Sequence, residues 1–181
     1  GPSVTISGLQ PSTTYSFYQR TICSTGPTEW HEMSFTTNCV NSTLPLYEPF
    51  AEDPMCWTLS AGVHASVAKY LTDEMDDAGE EAEEWNCLYM PIGSYVILPD
   101  FGVEASRLAI QMNVFNGLYL TKYEIGVVDS SNSIESFQSI QTIQTKNRLN
   151  MSSSAGNPYQ LEEFTVLLHR YRGTGHHIAI K

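Results

Sequence analysis

The stretch RLAIQMNVF, residues 107–115, constrains this chain more than any other. Leu108, Ile110, Met112 and Val114 fall on one side of an extended backbone, and Ala109, Gln111 and Asn113 on the other. Successive strand side chains point to opposite faces, so this alternation is that of a half-buried strand. EFTVLLHR repeats it with Phe164, Val166 and Leu168, and LYLTKYEIGVV with Tyr123, Ile125 and Val127. Turn-forming clusters separate such segments: DSSNS at 129–133, SSSAGNP at 152–158 and RGTG at 172–175. Short alternating strands divided by turns predict an all-β antiparallel sandwich or barrel.

Composition narrows the function classes. The 181 residues suffice for one domain with a core plus part of another, and 41% hydrophobic residues with 16% charged describe a folded chain. Nine Lys and Arg against twenty Asp and Glu leave a formal charge of -11, a field that repels phosphate backbones and disfavours nucleic-acid partners. No apolar run is long enough for a membrane span, and Gly1-Pro2-Ser3 does not have a signal-peptide layout, so the chain reads as an interior piece of a longer protein. The four cysteines, Cys23, Cys39, Cys56 and Cys87, are widely spaced without a C-x-x-C pair. That spacing favours disulfides in an oxidising, extracellular or cell-surface setting over zinc ligation, with free buried thiols as the alternative.

Residues 60–84 fit the strand pattern least. VHASVAKYL is expected to form a short helix, and TDEMDDAGEEAEE crowds eight acids into thirteen positions. Charge this dense predicts a solvated loop. A calcium loop is the sharper alternative, but the order of acids is not that of an EF-hand.

The first forty residues resemble the C-terminal part of a fibronectin type III module. The carriers are Leu9, Pro11, Thr13 and Tyr15, then GPTEW with Trp30, then SFTT at 34–37. The resemblance implies about three strands of a Greek-key sandwich, with the Tyr15 hydroxyl pinning a corner through a backbone hydrogen bond. It also implies a disulfide Cys23–Cys39 across neighbouring strands, and a spacer or binding role. Half a sandwich leaves an uncovered core face.

Residues 41–181 make the second expected domain. From Leu44 onward, LPLYEPF, PMCW, CLYM, YVILPDF, KYEIGVVDS, FQSIQTI and GTGHHIAIK follow one another in an order that resembles the jelly-roll domains related to MAM and cleaved-adhesin modules of bacterial surface and secreted proteins. The resemblance implies two packed antiparallel sheets with LPLYEPFAEDPMCW as the opening strand, and a closing strand beyond Lys181. It also implies a structural calcium with Glu48 among its ligands, although Pro49 and Ala51 stand where acids commonly occur. A second disulfide, Cys56–Cys87, is expected over a reactive thiol, since both cysteines sit in acidic or aromatic surroundings that do not favour a thiolate.

No catalytic residue is assigned. Glu48, Glu52 and Asp53 are close in sequence, which does not create the separation that glycosidase carboxylates need. His31, His64 and His169 lie in separate segments, and adjacent His176 and His177 point to opposite faces of a strand, so a shared metal has little support. Sugar faces stack on aromatic rings, and Trp85, Asn116 and Tyr119 are the candidate ligand-binding residues, with burial of Trp85 and Tyr119 as the alternative. Trp57 is expected in the core. The sequons at Asn41 and Asn150 matter only in a eukaryotic secretory host. The expected function is a noncatalytic adhesion or carbohydrate-binding module within a larger polypeptide, its partner a glycan or a host or surface protein. A structural spacer is the alternative, and a carbohydrate-active enzyme or peptidase ranks third.

Overall fold

The computed structural model describes residues 3–40, 42–70, 83–116, 120–146 and 160–181. The chain divides into two compact units, Gly1–Val40 and Asn41–Lys181. Apart from one 3₁₀ turn at Ala105–Arg107, the described elements are strands, and every pairing is antiparallel.

The first unit holds β1 (Thr14–Gln19), β2 (Ile22–Cys23), β3 (Gly26–Pro27) and β4 (His31–Thr36). β1 pairs with β4 from Thr14↔Thr36 to Gln19↔His31, and β2 pairs with β3. Directly opposed residues share a face. One face is therefore apolar, with Tyr15 stacked on Phe35 at 6.0 Å and Phe17 opposite Met33. The other is polar: Thr14 and Thr36 share a hydrogen bond at 2.9 Å, and Ser16 and Tyr18 both donate to Glu32. Before β1, the Tyr15 hydroxyl accepts the Gln10 N–H at 2.9 Å, the backbone hydrogen bond expected of a tyrosine corner.

The second unit is an antiparallel β-sandwich. Its strands are β5 (Thr58–Leu59), β6 (His64–Tyr70), β7 (Glu83–Tyr89), β8 (Val96–Ile97), β9 (Ala109–Asn116), β10 (Lys122–Val128), β11 (Gln138–Gln144), β12 (Gln160–Leu167) and β13 (His177–Ile180). Five of them form one sheet in the order β11-β10-β13-β8-β5, while β12 pairs with β9 and β6 with β7. The main core is built by period-two alternation. Val96 and Leu98, Ile125, and Ile178 and Ile180 from the five-stranded sheet meet Val114 and Val166 from the β9–β12 pair, with Ile110, Met112 and Phe164 packed alongside. Leu88 of β7 joins them. On its reverse face the same sheet buries Ile97, Val128 and Ala179 beneath Tyr95, Ile134 and Phe137.

The β10–β11 register shifts between Ile125 and Gly126, where Ile140 of β11 is the extra residue of a bulge. β10 itself keeps alternating against β13, with Ile125 packed in the main core, Val127 packed with Ala105 and Tyr171, and Ile140 against both groups. A Cβ on Gly126 would overlap the Gln138 carbonyl oxygen and stand 2.7 Å from the Phe137 ring, which explains a glycine in a central strand.

Three expectations are corrected here. VHASVAKYL is not a helix: His64–Tyr70 is strand β6, paired along its length with β7. A short apolar run is compatible with either period, and the ladder with β7 decides it. LPLYEPFAEDPMCW is not a strand, because the second unit has its first strand only at Thr58. Pro45, Pro49 and Pro54 lack ladder donors, and Phe50 and Cys56 take left-handed backbone at φ 53° and 69°. Trp57 beside them packs partly buried against the core, edge-on to Phe50.

The cysteine pairings also differ. Cys39 and Cys56 are the disulfide-bonded cysteines, and Cys23 and Cys87 are free thiols, so neither Cys23–Cys39 nor Cys56–Cys87 forms. The β1–β4 register gives the reason for the first. Cys39 follows Thr36 at the Ser12 end, its sulfur 2.8 Å from the Ser12 hydroxyl, whereas Cys23 lies in β2, past the Gln19↔His31 end. Strand residues rise about 3.3 Å each, so the length of β1 alone exceeds the roughly 7 Å that a disulfide can bridge between Cα atoms. Cys87 sits in mid-ladder opposite Ser66, where burial pushes its thiol pKa up.

Candidate functional site

The β6–β7 pair carries the best-formed aromatic surface of the second unit. Its register sets His64 opposite Tyr89, Ser66 opposite Cys87 and Ala68 opposite Trp85, so these residues share one face. Leu88, on the other face, packs into the core and anchors the pair at its Tyr89 end. The first face is consequently turned outward there. Tyr89 is 53% exposed and Trp85 44% exposed, and the Tyr89 ring lies 5.3 Å from the His64 ring at a tilt of 48°.

Trp85 and Tyr89 are four residues apart on one strand, which separates their backbones by about 13 Å. Cys87 lies between them, half-buried. His64 Nδ1 lies 3.0 Å from the Gly62 carbonyl oxygen, which fixes the ring beside Tyr89. The result is a strip of two exposed rings with an imidazole at one end. Such a strip offers apolar stacking area together with hydrogen-bonding tips, the combination that holds a ligand with one apolar and one polar face.

The other sequence candidates lie elsewhere. Asn116 ends β9, where its backbone pairs with Gln160, in a different sheet from Trp85. Tyr119, the sequon asparagines Asn41 and Asn150, and most of the acidic stretch lie outside the described residues. Tyr89, which sequence reasoning missed, has a signal in W-x-C-x-Y at 85–89: period two places Trp85, Cys87 and Tyr89 on one face once the segment is recognised as a strand.

Glu48 sits in the proline-rich opening segment of the second unit, where its Oε1 accepts the Phe50 N–H at 3.2 Å. Asp53 Oδ1 accepts the Ala65 N–H. The Glu48 carboxylate closes a local turn and that of Asp53 ties its loop to β6, and among the described residues no three His, Cys, Asp or Glu side chains gather as a metal cluster. His176 and His177 part as the strand geometry requires, His176 exposed and His177 partly buried at the start of β13, with no partner for His177 Nδ1 among the described residues. His31, His64 and His169 occur in separate segments.

No helix of the described residues is long and apolar enough to cross a membrane. Comparison with known proteins finds no matching family model, no matching curated protein and no matching solved structure.

Proposed function

We propose that this chain is a noncatalytic, extracellular binding module that recognises glycans through the outward face of β6–β7. The observation that carries the reading is the pairing of exposed Trp85 and Tyr89 on one strand face. Sugar rings present apolar C–H faces that stack on aromatic side chains, and the His64 ring and Tyr89 hydroxyl supply polar contacts at the edge. A disulfide among the four cysteines supports an oxidising location. The jelly-roll and fibronectin type III resemblances belong to the same proposal: the antiparallel sandwich supports the first at the level of architecture, and the Tyr15 corner supports the second.

A glycan array with the purified chain tests this. A reproducible signal abolished by both Trp85→Ala and Tyr89→Ala supports the reading, whereas a blank array turns it toward a spacer that positions neighbouring domains. Structural calcium at Glu48 is the least supported element, since one carboxylate oxygen already accepts a backbone N–H. Melting with calcium and with chelator tests it, because a ligand of the folded state raises the melting temperature, and an unchanged value removes the metal.

A further inference from the structure

A cavity of about 360 Å³ opens between the Glu104–Ser106 segment and the turn Tyr171–His176. Its floor is Tyr171, 7% exposed, whose hydroxyl accepts the Gly175 N–H at 2.8 Å. Glycines shape this turn around the hydroxyl. A Cβ on Gly175 would meet the hydroxyl at 2.8 Å and a Val127 methyl at 2.7 Å, and one on Gly173 would overlap the tyrosine ring. Such close backbone approach excludes any larger residue.

The Tyr171 hydroxyl is left with a proton to donate. Its one hydrogen bond among the described residues uses it as acceptor, and a buried hydroxyl ordinarily satisfies both capacities. Around it stand Glu104, Ser106, Thr174 and His176, whose side chains make no hydrogen bond or ion pair among the described residues. The Arg172 guanidinium completes the lining. Its NH1 is held by the His169 and Tyr171 carbonyl oxygens at 2.7 and 2.9 Å, which orients the group and leaves its other N–H donors without a hydrogen bond among the described residues.

Charge and size select the ligand. Glu104 opposes an anion, Arg172 opposes a cation, and together they match a neutral molecule with several hydroxyls, each able to donate and accept. The volume lies near the lower end of the roughly 300–1,000 Å³ of small-molecule sites. We propose that this cavity is a binding site for a neutral polyol such as a single sugar ring, separate from the aromatic strip and independent of it.

The test is an amide NMR titration of the whole chain with the methyl glycosides of glucose, galactose, mannose and N-acetylglucosamine. At least one is expected to shift the Gly173, Gly175 and His176 amides, with a dissociation constant on the order of 1–10 mM. Glu104→Gln, at a side chain without a partner, should fold normally and weaken that binding about tenfold. Thr174→Ala should weaken it less. Trp85→Ala with Tyr89→Ala should leave these shifts intact, which separates this site from the aromatic strip. The proposal is overturned if no glycoside shifts these amides, if Glu104→Gln and Thr174→Ala both bind unchanged, or if sodium acetate or phosphate shifts them where no glycoside does.

Discussion

The two units differ first in what they bury. Every buried residue of the core, from Val63 to Ile180, belongs to the second unit, and none of the described residues in the first is buried. The first unit nevertheless has an amphipathic sheet. Its apolar side lines an open groove of about 470 Å³ with Val4, Ile6, Leu9, Phe17, Met33 and Phe35. Alternation is therefore enough to sort side chains onto faces, but burial needs a second layer to close over the apolar one. In the second unit the β9–β12 pair supplies that layer to the five-stranded sheet. A two-stranded sheet without such a layer is marginally stable in water, so the first unit should respond to perturbation as surface and the second as core.

Hydrogen exchange gives the largest expected contrast. Amides of β10 and β13 should exchange near the rate of global unfolding, and those of β1 and β4 orders of magnitude faster through local opening. Equal protection in both units would break the comparison. Mutational cost follows. Leu168 is fully buried, and Leu168→Ala should lose about 2–5 kcal/mol in urea unfolding, while Phe35→Ala, at a side chain 41% exposed, should change the same transition by well under about 2 kcal/mol. A comparable loss from Phe35→Ala would show that the groove is covered in solution. Gly126→Ala should cost about 1–3 kcal/mol, because the new methyl meets the Gln138 backbone and the Phe137 ring.

Cysteine chemistry sharpens the contrast at smaller scale. Two thiols per chain should react under denaturing, nonreducing conditions. In the folded protein, exposed Cys23 should react with a thiol reagent well before Cys87, whose thiol pKa is raised by burial. Detection of four reactive thiols would remove the disulfide.

The smallest effect is electrostatic and belongs to the exposed polar face of the first unit. Hydrogen bonds from Ser16 and then Tyr18 hold the Glu32 carboxyl below the usual glutamate range, while the hydrogen bond and charge of Glu32 raise the Tyr18 phenol. A folded pKa below the unfolded one means that the Glu32 contribution is present above the unfolded pKa and is lost as pH falls through the folded value. The Tyr18 contribution has the opposite sign, complete below its unfolded pKa and lost as pH rises through its folded value. An NMR titration of the Glu32 carboxyl should show the depressed midpoint, and Tyr18→Phe should bring it partway back toward the ordinary range. No change on that substitution would leave Ser16 as the whole cause.

The candidate site was partly legible. Trp85 stands out in sequence as an aromatic residue beside an acidic run, but Tyr89 does not, since its exposure depends on which face of β7 Leu88 carries into the core. The polar cavity was not legible at all. RGTG reads as a turn by composition, and only the fold brings that turn over the Tyr171 hydroxyl and beside Glu104.

What the sequence determined by itself is local. The period-two runs at Ile110, Met112 and Val114 and at Phe164, Val166 and Leu168 specify strands and their buried faces, because side-chain direction on a strand repeats every two residues wherever the strand lies. The Gln10 to Tyr15 hydrogen bond is likewise short-range, spanning five positions. What the tertiary structure decided depends on partners distant in the chain. The ladder with β7 made His64–Tyr70 a strand, and the β1–β4 register carried Cys23 away from Cys39. The β10–β11 register shift left Ile140 of β11 as the bulged residue, packed against both the main core and the Val127 group. Register is a property of two strands together, so neither strand's own pattern contains it.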